Sequence, residues 1–369
     1  MQKLLKFAKA NAVCIIAGIA ALITSFIIPP DEKYIDYFDF KTLACLFSVL
    51  AVVCALRNIR FFYTLAKAIV RRFKNAKICI LALVYITFIG SMLIANDMAL
   101  LTFLPLGYFV LHTTGKEKYM AFTFIMQNIA ANLGGMLTPF GNPQNLYLYS
   151  KFNIPDLEFV KIMLPPFIVA ISLITLCCLI FVRSEPLIIE ERAAALPLPR
   201  VIIYLILFSI SILIVFDIIP YLYGLLIILV SLLILDRLAL LSVDYGLLLT
   251  FTFFFIFSGN MARIEVVGLF FSKLLEINTL IVSAACCQVI SNVPTAVLLS
   301  QFTENYRALL LGVNIGGVGT LISSLASLIT FREYSKQDPE HTLRYVLKFS
   351  LFNFAFLILL TLFCLAIGA

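Results

Sequence analysis

Charged side chains are scarce in this sequence. Of its 369 residues only 13% are charged, two are His and none is Trp, whereas 62% are hydrophobic. A soluble chain of this length needs far more charge to cover its surface, so a large water-soluble domain is excluded. The net charge of +7 is spread along the chain. It therefore does not form the dense basic patch of a nucleic-acid-binding protein, and no nucleic-acid partner is expected.

Motifs of enzymes are also missing. The chain contains no H-E-x-x-H, no C-x-x-C and no Gly-rich loop before Lys-Ser/Thr. An enzyme site needs positioned nucleophiles, paired acids or metal ligands, and these are not grouped here. The nine cysteines lie mostly inside apolar runs and are interpreted as small buried hydrophobic residues. We expect no catalytic residues, no metal site and no cofactor.

Long apolar runs recur along the whole chain. Most are long enough to cross a hydrocarbon core of about 30 Å, and they lack the alternation typical of a membrane β-barrel. They predict an all-α polytopic membrane protein that contacts the lipid bilayer over most of its surface. The candidate spans are residues 12–29, 41–57, 77–95, 98–112, 119–138, 160–182, 201–219, 222–235, 243–259, 275–290, 293–302, 308–330 and 345–367.

The positions of Lys and Arg predict the topology. We place the N-terminus in the cytoplasm and treat 77–112 and 275–302 as hairpins that enter and leave on one side. Most cations then fall in cytoplasmic loops, as the positive-inside rule requires. This arrangement is expected for a multi-pass protein of the inner or plasma membrane. The basic stretch 57–77 also carries Phe61, Phe62, Leu65 and Val70, which predicts an amphipathic helix on the cytoplasmic surface.

An internal repeat divides the chain. NLGGMLT at 132–138 matches NIGGVGT at 314–320, and each copy follows a short polar interruption, Ala95–Ala99 and Ser291–Thr295. Because the two units start on opposite sides, the pattern predicts an inverted repeat, as in many secondary transporters. The alternative is a chance match between Gly-rich membrane helices. The predicted units are a first half-repeat at 1–183 (hairpin about 77–112, interrupted helix about 119–150), a cytoplasmic linker at 184–200, and a second half-repeat at 201–369 (hairpin about 275–302, interrupted helix about 308–330).

The interruption TPFGNPQNLY at 138–147 carries amides that hydrocarbon rejects. Pro139 and Pro143 break the helix ladder, and Gly141 permits an unusual turn. Backbone that is not hydrogen-bonded internally must be buried in protein or line a wet cavity. The exposed half-helix ends would offer carbonyls to Na⁺ and N–H groups to an anion. The alternative is an ordinary surface loop between two helices.

The hairpin tips and interruptions supply the candidate site. Asp97 is predicted to hold a proton or Na⁺, because acids inside a membrane are usually functional. The alternative is that Asp97 caps the helix that follows it. The ion-binding candidates are Asn96, Asp97, Gly141, Asn292 and Thr320. The substrate-binding candidates are Asn96, Thr138, Asn142, Asn145, Ser291, Asn292, Thr295, Ser323 and Ser324.

Four stretches resemble the ion transporter superfamily: ANDMALLTFLP (95–105), NLGGMLTPFGNPQNLYLYS (132–150), SNVPTAVLL (291–299) and GVNIGGVGTLISSLASLI (312–329). This group holds citrate-transporter-like permeases, divalent anion/sodium symporters, arsenite-efflux permeases and sodium/proton antiporters. The resemblance implies a homodimer in which each protomer has a scaffold domain and a transport domain that moves as an elevator. The symporters carry Ser-Asn-Thr at both tips, whereas the tips here read Ala-Asn-Asp and Ser-Asn-Val, which puts dicarboxylate chemistry in doubt.

The expected function is secondary active transport. We expect a transporter that moves a small anion, a carboxylate or an oxyanion, coupled to Na⁺ or H⁺. One alternative is a Na⁺/H⁺ antiporter that uses Asp97 and moves no anion. Another is an arsenite efflux permease, with or without an accessory ATPase subunit. A membrane enzyme or a passive channel is the alternative from a different class.

Overall fold

The computed structural model describes residues 12–187 and 196–368, and regular structure in these ranges is helical apart from one isolated β-bridge between Asn75 and Pro186. The linker predicted at 184–200 therefore lies partly outside the described residues. The helices are α1 (Ala12–Ile27), α2 (Phe40–Asn58), α3 (Phe61–Val70), α4 (Ala76–Ile94), α5 (Asn96–Thr113), α6 (Met120–Gly134), α7 (Pro143–Lys151), α8 (Asp156–Phe181), α9 (Leu198–Val215), α10 (Tyr221–Leu235), α11 (Arg237–Leu241), α12 (Tyr245–Ala262), α13 (Glu265–Ile290), α14 (Asn292–Leu299), α15 (Tyr306–Ile315), α16 (Leu325–Gln337) and α17 (Thr342–Ala366).

Within the described ranges, seven helices are long and apolar enough to cross a membrane: α2, α4, α8, α9, α12, α13 and α17. Their bounds follow the spans predicted from hydropathy to within a few residues, except for α13. The prediction of an all-helical, polytopic membrane protein is thereby confirmed. The predicted amphipathic helix of the basic stretch is present as α3.

Polar contacts mark one end of the bundle, which we call the Asp31 face. Arg263, at the end of α12, pairs with Asp31 at 2.7 Å, and Lys41 of α2 pairs with Asp217 after α9. Tyr306 of α15 donates to the Glu158 carboxylate of α8 at 2.7 Å. The ends of these helices therefore lie together on one side.

The opposite end is called the Glu185 face. The Glu185 carboxylate accepts hydrogen bonds from Lys116 (2.6 Å), Lys118 (2.6 Å) and Tyr119 (2.8 Å). At the same end Asn58 and Tyr204 both donate to Asp236, each at 3.3 Å. These contacts join the loop after α5 to the segment after α8, and the end of α2 to the end of α10.

Two helical hairpins enter the bundle from opposite faces. The first is α4–α5, whose base lies at the Glu185 face and whose tip is Ala95. The second comprises residues 279–290 of α13 with α14, and its base lies at the Asp31 face with its tip at Ser291. Ala95 and Ser291 have nearly the same unusual backbone, with φ/ψ of 64°/151° and 74°/158°. Side chains with a Cβ rarely adopt positive φ, and such strain concentrates at functional sites.

Helix α13 is longer than the sequence pattern predicts. It begins at Glu265, and an extended residue at Asn278 (φ −167°, ψ 102°) divides it. The Asn278 side chain accepts the Ile281 N–H at 2.9 Å and so starts the second, hairpin part as a helix cap. The first part carries Glu265, Lys273 and Glu276, and these charges hide it from a hydropathy search.

Both predicted interruptions are present. Helix α6 ends at Gly134 and α7 begins at Pro143, while α15 ends at Ile315 and α16 begins at Leu325. Proline suits the first turn of α7, because N–H groups there have no partner inside the helix. Asn142 and Ser324, the residues before α7 and α16, are both extended.

The segment after α8 is tied to the base of the first hairpin. The Glu185 carbonyl accepts the Ala76 N–H at 2.8 Å, and the Leu187 N–H donates to the Lys74 carbonyl at 3.0 Å. Together with the Glu185 carboxylate contacts, these bonds join α8, α4 and the start of α6. The linker therefore begins at a fixed point beside the hairpin.

Glu185→Gln is expected to lower the thermal unfolding midpoint at pH 7. Hydrogen bonds from Lys116, Lys118 and Tyr119 hold the pKa of Glu185 at about 2, below its ordinary value of 4.5. A carboxyl group with a lowered pKa stabilises the fold above pH 4.5, and this contribution is lost as the pH falls toward 2. Scanning fluorimetry from pH 7 to pH 3 should show the gap between variant and wild type shrinking below pH 4.5. Exposed Glu340→Gln is the control, and an equal loss there would contradict the role of Glu185.

Candidate functional site

A cavity of about 370 Å³ lies between the two hairpin tips, and we call it the hairpin-tip cavity. Helices α1 and α12 form an apolar wall opposite the tips, and the start of α7 closes one end. The lining reaches Val13 and Gly246, so the cavity extends toward the Glu185 face. Its polar lining residues are Asn96, Asp97, Gln144, Asp244, Thr250, Ser291 and Asn292, with Cys14 on the α1 wall.

The charge of this cavity is acidic. Asp97 and Asp244 line it, and among the described residues no Lys or Arg does. Arg57 donates to the Met98 sulfur at 3.3 Å, one residue further along α5, but it does not line the cavity. These two carboxylates, of which Asp97 is half-buried and Asp244 exposed, raise the free energy of any unaccompanied anion and lower that of a cation or proton.

Acceptor oxygens without donors point the same way. Asp97 Oδ1 and Gln144 Oε1 are buried and have no hydrogen-bond partner among the described residues, and the same holds for Asn142 Oδ1 in the first interruption. Buried acceptors normally have partners, so each of these calls for an explanation. A bound cation or a ligand that donates hydrogen bonds supplies one.

Each tip is fastened to an interruption by the backbone. The Asn96 N–H donates to the Gly141 carbonyl at 3.2 Å, and the Asn292 N–H donates to the Ser323 carbonyl at 2.9 Å. In each tip the Asn side chain then accepts the next N–H, of Asp97 or Val293, at 2.9 Å. Gly141 and Ser323 occupy matching positions of the two motifs, so the same bonds form twice.

Thr138 and Thr320 make a second matched pair of contacts. The Thr138 hydroxyl donates to the Met92 carbonyl at 2.7 Å, and the Thr320 hydroxyl donates to the Gln288 carbonyl at 3.0 Å. Both acceptors lie three residues before a hairpin tip. Each threonine therefore joins one hairpin to one interruption through a hydrogen bond. Neither threonine side chain lines the cavity.

An asparagine cluster joins the two interruptions behind the cavity. Asn314 donates to Asn145 Oδ1 at 2.6 Å, and its own Oδ1 accepts from Asn142 at 3.1 Å and from Gln144 at 3.4 Å. On the other side, Asn96 donates to Asn132 Oδ1 at 3.3 Å. These side chains connect the first hairpin, the first interruption and α15 in one buried network.

Asn314→Ala is expected to destabilise the protein by about 1–2 kcal/mol, because it removes the donor to the buried Asn145 Oδ1 and the acceptor of the buried Gln144 amide. The apparent unfolding midpoint measured in detergent checks this value. Asn58→Ala, which removes a single exposed contact, is the control and should change stability by less than about 0.5 kcal/mol. Equal midpoints for the two variants would contradict a central role for Asn314.

The structure brings four of the predicted site residues together at the cavity: Asn96, Asp97, Ser291 and Asn292. The others lie behind it, in the interruptions or in the first turn of α14, and apart from Asn142 Oδ1 their side-chain polar groups have partners within the protein. Asn145 donates to carbonyls of 135, 136 and 138, and Ser324 caps α16. The residues in this second group are Thr138, Gly141, Asn142, Asn145, Thr295, Thr320, Ser323 and Ser324.

Sequence reasoning missed Asp244 and two asparagines. Asp244 accepts the Leu247 N–H at 2.9 Å and caps α12, so its Ser-Val-Asp context looks like an ordinary helix start. Asn132 and Asn314 begin the repeated N-x-G-G motif, which was the available signal for them. Gln144 lies within the interruption TPFGNPQNLY, where the sequence shows only that it is one of several amides.

A second cavity of about 580 Å³ opens at the Asp31 face, between the ends of α7 and α12 and the start of α2. It shares no lining residue with the hairpin-tip cavity. Tyr147 stands between the two, because α7 contributes Gln144 to one cavity and Lys151 to the other. The Tyr147 and Ser300 hydroxyls are 2.9 Å apart, and the Tyr147 ring packs on Phe255 at 5.6 Å between centroids.

A multi-span helical bundle with an internal cavity between discontinuous helices is typical of membrane transporters. The model of the citrate transporter family matches residues 4–306, and the chain belongs to this family. It is therefore a transporter of the ion transporter superfamily and not an enzyme, as predicted.

Three curated relatives are similar to the chain, and two of them are named as transporters. The chain is 34% identical over 316 residues to an uncharacterised transporter of Methanocaldococcus jannaschii, covering 85% of this chain and 86% of the relative. It is 28% identical over 313 residues to the inner membrane protein YbiR of Escherichia coli, covering 84% of each. A silicon efflux transporter of Oryza sativa subsp. japonica is 27% identical over 165 residues, or 44% of this chain and 33% of that protein.

Proposed function

We propose that this protein is a secondary active transporter that moves a small carboxylate or oxyanion together with Na⁺ or H⁺, with Asp97 as the coupling group. The observation that carries the proposal is the hairpin-tip cavity, which joins both tips to two carboxylates and has no Lys or Arg in the lining that the structure describes. An anion enters such a cavity favourably only when a cation or proton offsets the carboxylate charge. Substrate and coupling ion then raise each other's affinity by the same factor.

The proposed architecture is a pair of inverted repeats working as an elevator. Two pairs of equivalent hydrogen bonds support the repeats: the Asn96 bond corresponds to the Asn292 bond, and the Thr138 bond corresponds to the Thr320 bond. The entry of the hairpins from opposite faces also supports them. The asparagine cluster supports a common moving body, because it ties the interruptions together. Helices α1 and α12, which pack on each other on the side of the cavity opposite the tips, are the proposed scaffold wall.

The proposed orientation places the Glu185 face in the cytoplasm of a cell with this protein in its inner or plasma membrane. The basic segment that contains α3 lies at that face, which agrees with the positive-inside rule. A homodimer is proposed from the family resemblance. Labelling of single cysteines introduced at Lys74 and Lys33 with a membrane-impermeant maleimide in intact cells would test the orientation. Only the cysteine at position 33 should react, because it lies at the Asp31 face, outside the cell membrane.

Na⁺/H⁺ exchange is the second candidate, and it is favoured by the two carboxylates of the cavity, whose described lining contains no Lys or Arg. In this scheme Na⁺ and H⁺ bind alternately to Asp97 and no anion moves. Asp244 on the opposite wall would raise the affinity for either ion through its charge. Both candidates need Asp97, and they differ in whether an anion is required.

Currents from proteoliposomes on a solid-supported membrane test the proposal. The panel is citrate, succinate, malate, sulfate, arsenite and silicic acid, each with Na⁺ or choline at two pH values. A signal that requires both an anion and Na⁺ or a proton gradient supports symport. A signal from Na⁺ or pH jumps alone supports exchange and contradicts anion transport. Tracer flux with the same panel covers electroneutral transport, and no flux of any panel member would contradict the proposed substrate class.

A further inference from the structure

A basic collar surrounds α3 at the Glu185 face. We use this name for Arg60, which precedes α3, and Arg71, Arg72 and Lys74, which follow it. Helix α3 lies between the end of α2 and the start of α4, and it packs against both of these helices and α5. With 10 residues, α3 is about 15 Å long, so the collar places positive charge at both of its ends.

The four collar side chains are exposed and make no hydrogen bond or ion pair within the described residues. The stretch 57–77 contains no Asp or Glu. Two acidic residues at the same face are already engaged, Glu185 by two lysines and Asp236 by Asn58 and Tyr204. Within the described residues the charge of the collar therefore has no partner.

The other cations of this stretch are held by the protein. Lys67 is 8% exposed and its ammonium lies 4.6 Å from the centre of the Phe109 ring of α5. Lys77 donates to the Leu179 carbonyl at 2.9 Å. Arg57 contacts Met98. The contrast shows that the fold directs part of this basic segment inward and leaves the collar outside.

An apolar stripe lies between the two ends of the collar. Leu65 and Ile69 are 49% and 39% exposed and stand on one side of α3, whereas Ala66 and Val70 on the other side are buried. A short helix with an exposed apolar stripe and cations at its ends lies in the plane of a membrane surface, with the stripe at the boundary of the acyl chains.

We propose that the basic collar binds the phosphate groups of anionic phospholipids, with Leu65 and Ile69 inserted beside their acyl chains. A soluble phosphate compound or a nucleic acid would use the charge but not the stripe. A lipid uses both, and it is present at this face by default. Lys67 on Phe109 joins α3 to the first hairpin, so bound lipid acts at the base of the element that carries Asp97.

Lipid titration of the purified protein tests this proposal. Binding of phosphatidylglycerol and phosphatidylcholine in detergent is measured by native mass spectrometry for the wild type and for the variant Arg60→Gln, Arg71→Gln, Arg72→Gln, Lys74→Gln. Each cation near an anionic surface contributes about fivefold to binding. The variant should lose at least about tenfold in affinity for phosphatidylglycerol and keep its affinity for phosphatidylcholine. Salt at about 1 M should have the same effect on the wild type.

The matched control removes four exposed cations elsewhere at the same face, through Gln substitutions of Arg200, Lys336, Arg344 and Lys348. An equal loss in the control would overturn the proposal, because net charge alone would explain binding. A variant that exchanges Arg and Lys within the collar should bind as the wild type does.

Water-soluble glycerophosphoglycerol, which has the headgroup but no acyl chains, tests the apolar stripe. If it binds as tightly as the lipid, the proposal is overturned. Leu65→Ser with Ile69→Ser should weaken lipid binding and leave binding of the soluble headgroup unchanged.

Discussion

Asp97→Asn is expected to lower coupled transport by about 100-fold, a change of about 2.7 kcal/mol in the transport barrier. The substitution keeps the size of the side chain and removes the charge that holds the coupling ion. Asp97 Oδ1 has no donor in the part of the chain that the structure describes, so an amide there costs little in stability. Flux of the active substrate into proteoliposomes, driven by a Na⁺ or pH gradient, measures the effect.

Asp217→Asn is the matched control. Asp217 is an acid paired with Lys41 at the Asp31 face and does not line either cavity. Its flux should remain within about twofold of the wild type, since an exposed ion pair contributes little. Wild-type coupling in Asp97→Asn would remove Asp97 from the mechanism under both candidate functions. Loss of anion-coupled flux with retained Na⁺/H⁺ exchange would contradict a common coupling group.

Gly134→Ala is expected to destabilise the protein by about 3 kcal/mol, the largest stability effect predicted here. A Cβ at Gly134 would lie 2.2 Å from the Phe88 carbonyl oxygen and 2.6 Å from the Ser91 hydroxyl oxygen. The first of these atoms belongs to the backbone of α4, so α4 and α6 would have to move apart. The shift would also displace the Ala95 tip. Apparent unfolding midpoints and the yield of monodisperse protein measure the loss.

Gly268→Ala is the control for this change. Gly268 lies in α13, and nothing lies within 4 Å of a Cβ added there. Alanine favours a helix over glycine by about 1 kcal/mol, so the control should be neutral or slightly stabilising. A similar loss in both variants would show that close approach of α4 and α6 is not the cause.

Hydropathy and turn residues predicted most of the helices. The spans at 77–95 and 98–112 became α4 and α5, because long apolar runs have few alternatives in a membrane chain. The first part of α13 was not predicted as a helix, because Glu265, Lys273 and Glu276 lower its hydropathy. The short helix α11 was also not predicted, because five residues are too few to show a helical period.

The candidate site was harder to predict than the helices. Asn96 and Asn292 were found because each is a polar residue between two apolar runs. Asp244 was not, since it comes from a distant segment and only the packing of α12 brings it to the cavity. Asn145 looks like a ligand in sequence, yet it donates to three backbone carbonyls of the interruption. Sequence shows which groups are polar, and packing decides which of them have a partner.

The separation of the two cavities at Tyr147 has a consequence for inhibition. A compound of drug size fits a space of about 580 Å³ and would contact none of the residues around the hairpin tips. Such a compound, added from the Asp31 face, would lower the maximal rate of transport and leave the apparent affinity for substrate supplied from the other side unchanged. Competition kinetics measured separately from each face of the membrane would therefore distinguish inhibitors of the two cavities.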